Sequence, residues 1–274
     1  MTISTPTRPG RWISIILIVL GSIGLVFAVG GGVVRGIAAH SATSQSWTAD
    51  AAGVEALQVD TAAAGFEVRF DDVDEARLDA TTDGGPVQPW RLERDGAALR
   101  VVSDHRWGLW DFGDWFGGGG EEHVVLTLPA EFERRGLDLT VDVAAGSFEG
   151  DATWGTAEVG LSAGSVDLAG TARSLGVQVS AGEARLDIAT SGDVVLDVSA
   201  GRIVGALTGE QPTSIVAEVS AGSIELGVPA GDYAVTQDVS AGDATIDVDQ
   251  DGDATSTIDV QVSAGNISLR GETR

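Results

Sequence analysis

The chain has 274 residues, 38 of them Gly, no Cys and three His, with a formal net charge of −25. Without Cys there are no disulfides, thiol nucleophiles or thiolate metal sites, and His40, His105 and His123 are poor material for a zinc centre or a catalytic triad. The charge is uneven: no acid precedes residue 36, whereas residues 36–274 hold 13 Arg against 41 acids, a balance that excludes nucleic acid as a partner.

Residues 1–11 contain Arg8 and Arg11 and read as a short cytoplasmic tail. Residues 12–34, WISIILIVLGSIGLVFAVGGGVV, carry no charge over 23 positions. At 1.5 Å per residue that length spans about 34 Å, enough for the hydrocarbon core, so a transmembrane helix is expected. The Arg residues before it and the acidic flank after it place the N-terminus in the cytoplasm and the rest outside the cell membrane. The competing reading is a cleaved signal peptide, whose apolar core usually runs about 7–15 residues, shorter than this run. Residues 35–53 read as a polar linker.

From residue 54 to 274 an extracytoplasmic domain is expected, and an internal repeat dominates it. VDVAAGSFEG (141–150) is echoed by VGLSAGSVDL, VQVSAGEARL, LDVSAGRIVG, AEVSAGSIEL, QDVSAGDATI and VQVSAGNISL, with the Gly at 146, 164, 182, 201, 222, 242 and 265. TAAAGFEVRF reads as a diverged earlier copy with Gly65 in the same place. Each copy alternates with period two. In the third, Val177, Val179, Ala181, Ala184, Leu186 and Ile188 fall on one side, and Gln178, Ser180, Glu183, Arg185 and Asp187 on the other. The Gly interrupts the alternation, as a turn needing positive φ or close backbone approach would. A unit of about 20 residues with two short strands cannot bury its apolar face alone, so the copies must stack. The fold class expected is all-β, a β-solenoid whose small Ala column implies a thin interior at that point.

Residues 84–123 interrupt the series with a Trp- and Gly-rich insertion. Trp107, Trp110, Phe112, Trp115 and Phe116 read either as a cap over the open end of the stack or as an exposed contact site for a membrane or protein partner. Asp71, Asp72, Asp74 and Glu75 read as a solvated turn. Farther on, Asp247, Asp249, Asp251 and Asp253, with Gly252, reproduce the first half of a calcium loop. The acid expected at the twelfth position is replaced by Ile258, so calcium is the one metal these residues point to and a plain solvated turn is the alternative. No cofactor is expected otherwise, and no catalytic residue: the Ser of each Ser-Ala-Gly recurs in every copy without a neighbouring His.

An apolar N-terminal segment followed by Val-x-Val-Ser-Ala-Gly repeats resembles the DUF4097 family of bacterial adhesin-like envelope proteins, related to toast-rack β-domains. LTLPAEFERRGLDLTVDVAAG (126–146) and LGVPAGDYAVTQDVSAG (226–242) are similar to that family's Pro-Ala turn before a strand. The resemblance implies a β-helical ectodomain without enzymatic activity. The function expected is a noncatalytic anchored envelope protein that meets a membrane-protein or cell-wall partner, in a setting such as envelope-stress sensing. A surface adhesin for polysaccharide or another cell is the first alternative, and a β-helical carbohydrate-active enzyme the second.

Overall fold

Apolar residues at every second position, broken by Gly at each corner, leave this chain nothing to form but short strands. The computed structural model describes residues 44–83, 87–103 and 121–272, and these are all-β with a single 3₁₀ turn at Ala130–Arg134. The expected transmembrane segment, 12–34, lies outside the described residues; among them, no helix is long and apolar enough to cross a membrane.

The strands in chain order are β1 Ser44–Ala49, β2 Ala56–Thr61, β3 Ala64–Asp71, β4 Ala76–Thr82, β5 Trp90–Asp95, β6 Ala98–Ser103 and β7 Glu122–Pro129. They continue as β8 Leu137–Val143, β9 Gly146–Leu161, β10 Ser165–Val179, β11 Glu183–Ala189, β12 Asp193–Val198 and β13 Arg202–Thr208. The series closes with β14 Ser214–Val219, β15 Ser223–Pro229, β16 Asp232–Val239, β17 Gly242–Asp247, β18 Asp249–Gln250, β19 Ser256–Val262 and β20 Gly265–Glu272.

They pair as two faces that meet at the Ala-Gly corner. On the first face the order is β5, β6, β2, β8, the second half of β9, the second half of β10, β12, β14, β19 and β16. On the second it is β1, β4, β7, β3, the first half of β9, the first half of β10, β11, β13, β15, β20 and β17. All pairings from β3 and β2 toward the C-terminal side are parallel; only β5 and the strands β1 and β4 run antiparallel to their neighbours.

The period-two reading holds for the strands. Val177, Val179, Ala184, Leu186 and Ile188 are buried, and so are the mates of four of them one rung on, Leu196, Val198, Ile203 and Leu207, while Leu186 is followed by Gly205. Each such side chain contributes about 1.5–3 kcal/mol of burial, and the columns give one continuous core. Ala181 departs from the expectation. It is exposed, as are Ala200 and Ala221, because Ser-Ala turns outward at the corner. The smallness of that column therefore reflects a tight outside turn and not a thin interior.

What the corner does need is Gly. A Cβ on Gly164 would fall well inside contact distance of the Gly146 carbonyl oxygen, and the same holds for Gly182 against Gly164 and Gly222 against Gly201. The backbones stack directly: the Ser180 N–H donates to Leu161 O at 2.8 Å, Ala181 N–H to Ser162 O at 3.0 Å and Glu183 N–H to Gly164 O at 3.0 Å. In the diverged first copy the column is continued by Ala64, not Gly65, since Ala64 pairs with Gly146 and Phe66 with Phe148. The expected alignment on Gly65 was one residue off because the buried Phe, and not the Gly, sets the register.

Spatial order departs from chain order at both ends. The first copy, β2 and β3, lies between β6–β7 and β8–β9. The last copy, β19 and β20, slots between β14–β15 and β16–β17. Side chains explain the second insertion. Ile258, Val260, Val262, Ile267 and Leu269 are all buried and need cover on both sides. In β16, Gln237 stands in the inward column opposite Val260, which an interior rung could not tolerate unpaired but a terminal one can.

The N-terminal end is closed by aromatics. Trp90 in β5 packs at 5.9 Å from Phe66, which stacks on Phe148 at 6.0 Å. The Trp90 Nε1–H donates to the buried Glu122 carboxylate at 2.6 Å.

Gly164→Ala should destabilise the chain by about 2 kcal/mol or more in urea melts, because it combines φ +108° with a backbone clash. Gly252→Ala meets nothing within 4 Å and should stay within about 0.5 kcal/mol of the parent. Trp90→Phe keeps most of the packing but takes the donor from the Glu122 Oε1, leaving among the described residues only the Gln88 N–H at 3.4 Å on Oε2, an expected loss of about 1–3 kcal/mol in the same melts.

Candidate interaction surface

Side chains that alternate away from the core form columns on each face, and the two faces carry different charge. On the second face opposite charges are interleaved. Glu67 pairs with Arg69, Arg185 with Glu183 and with Asp167 at 3.6 Å, and Arg77 with Asp79 at 2.8 Å. The first face differs. From β8 to β16 its strand stretches 138–142, 156–160, 174–178, 193–197, 214–218, 257–261 and 234–238 contain no basic residue, so none faces outward there.

One outward column there runs Asp60, Asp142, Gly160, Gln178, Asp197, Glu218, Gln261 and Asp238. Neighbouring parallel strands lie about 4.8 Å apart, so Asp60 and Asp142, and Asp197 and Glu218, are held at one-strand spacing. Several lean over a Gly of the next rung: Asp138 over Gly155, Asp142 over Gly160 and Glu158 over Gly176. The Asp138 Oδ1 accepts the Thr156 N–H at 2.8 Å.

This crowding perturbs their titration. Burial between adjacent rungs pushes the carboxyls of Asp60, Glu158 and Asp197 above the ordinary range. Asp142 is raised by burial and then by the charge of Asp60. Glu218 is raised by burial, then by Asp197 and Asp259 on either side. Among the described residues none of these five has an ion-pair partner. Val195, 39 % exposed, stands next to this acidic column and pairs with Val216 on the following strand. Periodicity could have located the face, since the acids and Gly occur 18 residues apart, but only strand pairing shows them aligned.

Asp247, Asp249, Asp251 and Asp253 are all exposed. Asp247 ends β17, Asp249 opens β18, and the last two sit in the turn that follows. There the Asp251 Oδ1 accepts the Asp253 N–H at 3.0 Å, and the Asp251 backbone oxygen accepts the Ala254 N–H at 3.1 Å. Among the described residues no group of three or more His, Asp or Glu gathers around a point suited to a metal ion. Asp71, the last residue of β3, and Asp72, Asp74 and Glu75 between β3 and β4 are exposed, as a solvated turn requires.

Trp107, Trp110, Phe112, Trp115 and Phe116 lie outside the described residues; their segment joins β6 to β7. The Ser residues at the corners, Ser162, Ser180, Ser199 and Ser220, are exposed, and their backbone N–H groups serve the rung-to-rung ladder.

No family model matches the chain, the DUF4097 family included, and no curated protein matches it. Solved structures do. A candidate adhesin from Bacteroides fragilis is 13% identical, with a TM-score of 0.51 over 84% of this chain and 98% of that one. A candidate cell adhesion protein from Clostridium sporogenes is 11% identical, with a TM-score of 0.35 over 84% of this chain and 99% of that one. The first of these shares the fold.

The raised carboxyls set the pH response. A native pKa above the unfolded value means that the folded chain binds more protons just above the ordinary carboxylate range, so stability falls as pH rises through the raised values. The melting temperature followed by circular dichroism should therefore be higher at about pH 5 than at about pH 7.5. The difference should shrink in Asp142→Asn/Glu218→Gln. A melting temperature that drops steadily on acidification would contradict this account.

Proposed function

We propose that the chain is a noncatalytic, membrane-anchored envelope protein whose β-solenoid displays an acidic surface to a protein or cell-wall partner. The observation that carries this reading is the geometry of the second face. Its eleven strands begin with β1, the first described strand after the apolar segment 12–34, and end at β17. Ten strand spacings amount to about 48 Å. A stack of that length, paired at every rung, suits a spacer that displays a binding face. The uncompensated acids on one face and the paired charges on the other support a single preferred contact side.

The shared fold of the Bacteroides fragilis candidate adhesin supports a second form of the same role, adhesion to polysaccharide or another cell. In both forms the aromatic residues Trp110 and Trp115 supply a further contact for a membrane partner, with envelope-stress sensing as one setting.

The test uses the full-length chain with a C-terminal tag in bacterial cells. The chain should fractionate with membranes, and protease added to intact cells stripped of their outer layers should remove the tag. A tag that stays protected, or a chain released in soluble form, would overturn the anchored-display reading. Photo-crosslinking from position 110 should yield an adduct with one specific membrane or wall component, and this adduct should vanish in Trp115→Ala. Adducts confined to the chain itself would remove the aromatic segment from the contact surface.

A further inference from the structure

The two ends of the stack are finished differently. At the N-terminal end each face finishes in antiparallel strands, β5 on β6 and β4 with β1 on β7, and no described strand pairs with the outer edge of β5 or β1 either. At the other end both faces stop in parallel strands. No described strand pairs with the outer edge of β17, or with that of β16 beyond Tyr233. A free edge presents a row of backbone N–H and C=O groups that a further strand can satisfy. The core beneath it is also incompletely covered: Val235, Ala244, Ile246 and Val248 are only partly buried, and Val239 is 38 % exposed.

The chain itself uses this edge once. β18 adds in parallel to the start of β16, pairing Asp249 with Asp232 and Gln250 with Tyr233, and the Asp251 N–H donates to Tyr233 O at 3.0 Å. The rest of β16, residues 234–239, and all of β17 keep their outer edges open among the described residues.

Charge selects what can complete the sheet. Residues 232–253 carry seven acids and no base, and the whole stretch 203–269 carries eleven acids and no base. A second copy presenting this same edge would bring these acids against themselves. Asp238 and Asp243 stand on the outward side of the two edge strands, whereas Val235 and Ile246 stand on the inward side. A strand lying along the edge would thus meet acid and apolar surface at alternate positions.

We propose that the open edge of β16 and β17 is a docking site for an extended, basic polypeptide segment of a partner protein. The segment adds to the sheet by backbone pairing, with Lys or Arg toward Asp238 and Asp243 and aliphatic side chains over Val235 and Ile246. This deepens the display reading by naming what the far end of the stack takes, yet it can be tested away from any cell, so its failure would leave anchoring and display untouched.

The probe is a synthetic decapeptide alternating Lys and Val, titrated into the full-length chain in neutral detergent, with the Glu-Val decapeptide as control. The Lys-Val peptide should bind saturably and slow amide hydrogen exchange at 234–239, 242–247 or both; the Glu-Val peptide should do neither. Asp238→Asn/Asp243→Asn, at two exposed positions, should weaken binding about fivefold while leaving the melting curve in place. Binding without added protection at these strands would assign it to the acidic face at large and overturn the proposal. Equal protection by the Glu-Val peptide would do the same. So would edge amides already protected in a chain that sediments as a dimer, which would make a second copy the occupant.

Discussion

Neighbouring rungs of this protein meet at one corner through backbone alone, and that contact sets the terms for everything else. At Gly164, Gly182 and Gly222 a methyl group would collide with the carbonyl of the rung below, so the corner stays tight only while the side chain is a hydrogen atom. The closeness lets Ser180, Ala181 and Glu183 donate their N–H groups straight to the preceding rung. With the corner locked, the strands on either side pair residue for residue, and each Val, Leu and Ile falls above its equivalent in one unbroken core.

In-register stacking has an electrostatic consequence. Whatever faces outward in one rung faces outward in the next, so like residues accumulate in columns. On the second face Arg69, Arg185 and their acids alternate and cancel. On the first face the columns hold Asp60, Asp142, Glu158, Asp197 and Glu218 with no base among them from β8 to β16, and burial between rungs raises all five carboxyls. The outward glycines take part as well: Gly160 and Gly176 leave room for Asp142 and Glu158 to lie flat against the sheet. A fold that gains rigidity by repetition thereby accepts like-charge repulsion along one side.

The ends of a stack cannot follow the rule of its middle. Toward the N-terminal end Trp90, Phe66 and Phe148 pack in series across successive rungs, and both faces finish in antiparallel strands. At the other end β16 and β17 take the terminal place although β19 and β20 come later in the chain. Gln237 accounts for the exchange, since a polar side chain in an inward column is tolerable only where one side of the rung is open. The stretch from Asp247 to Thr255, within the longest interval of the repeat series, takes the chain back from the terminal rung β16–β17 into the inserted rung β19–β20. Its run of Asp is first of all part of that connection.

By itself the amino-acid sequence determined the repeat, the strand period, the position of each corner Gly and the all-β class, because these depend on spacing within one copy and on local sterics. The alternation of Val177 and Val179 with Gln178 is readable without any neighbour, and so is the need for Gly182. Tertiary structure alone decided which copies touch. Pairing placed Ala64 in the glycine column in place of Gly65, turned Ala181 outward, inserted β19 and β20 inside the stack and aligned Asp197, Glu218 and Asp259 on one face. The physical reason is that near-identical copies offer near-identical mates. The order in which they stack is then settled by a few inward residues, such as Gln237 against Val260, whose burial has a cost only once the neighbouring rung is in place.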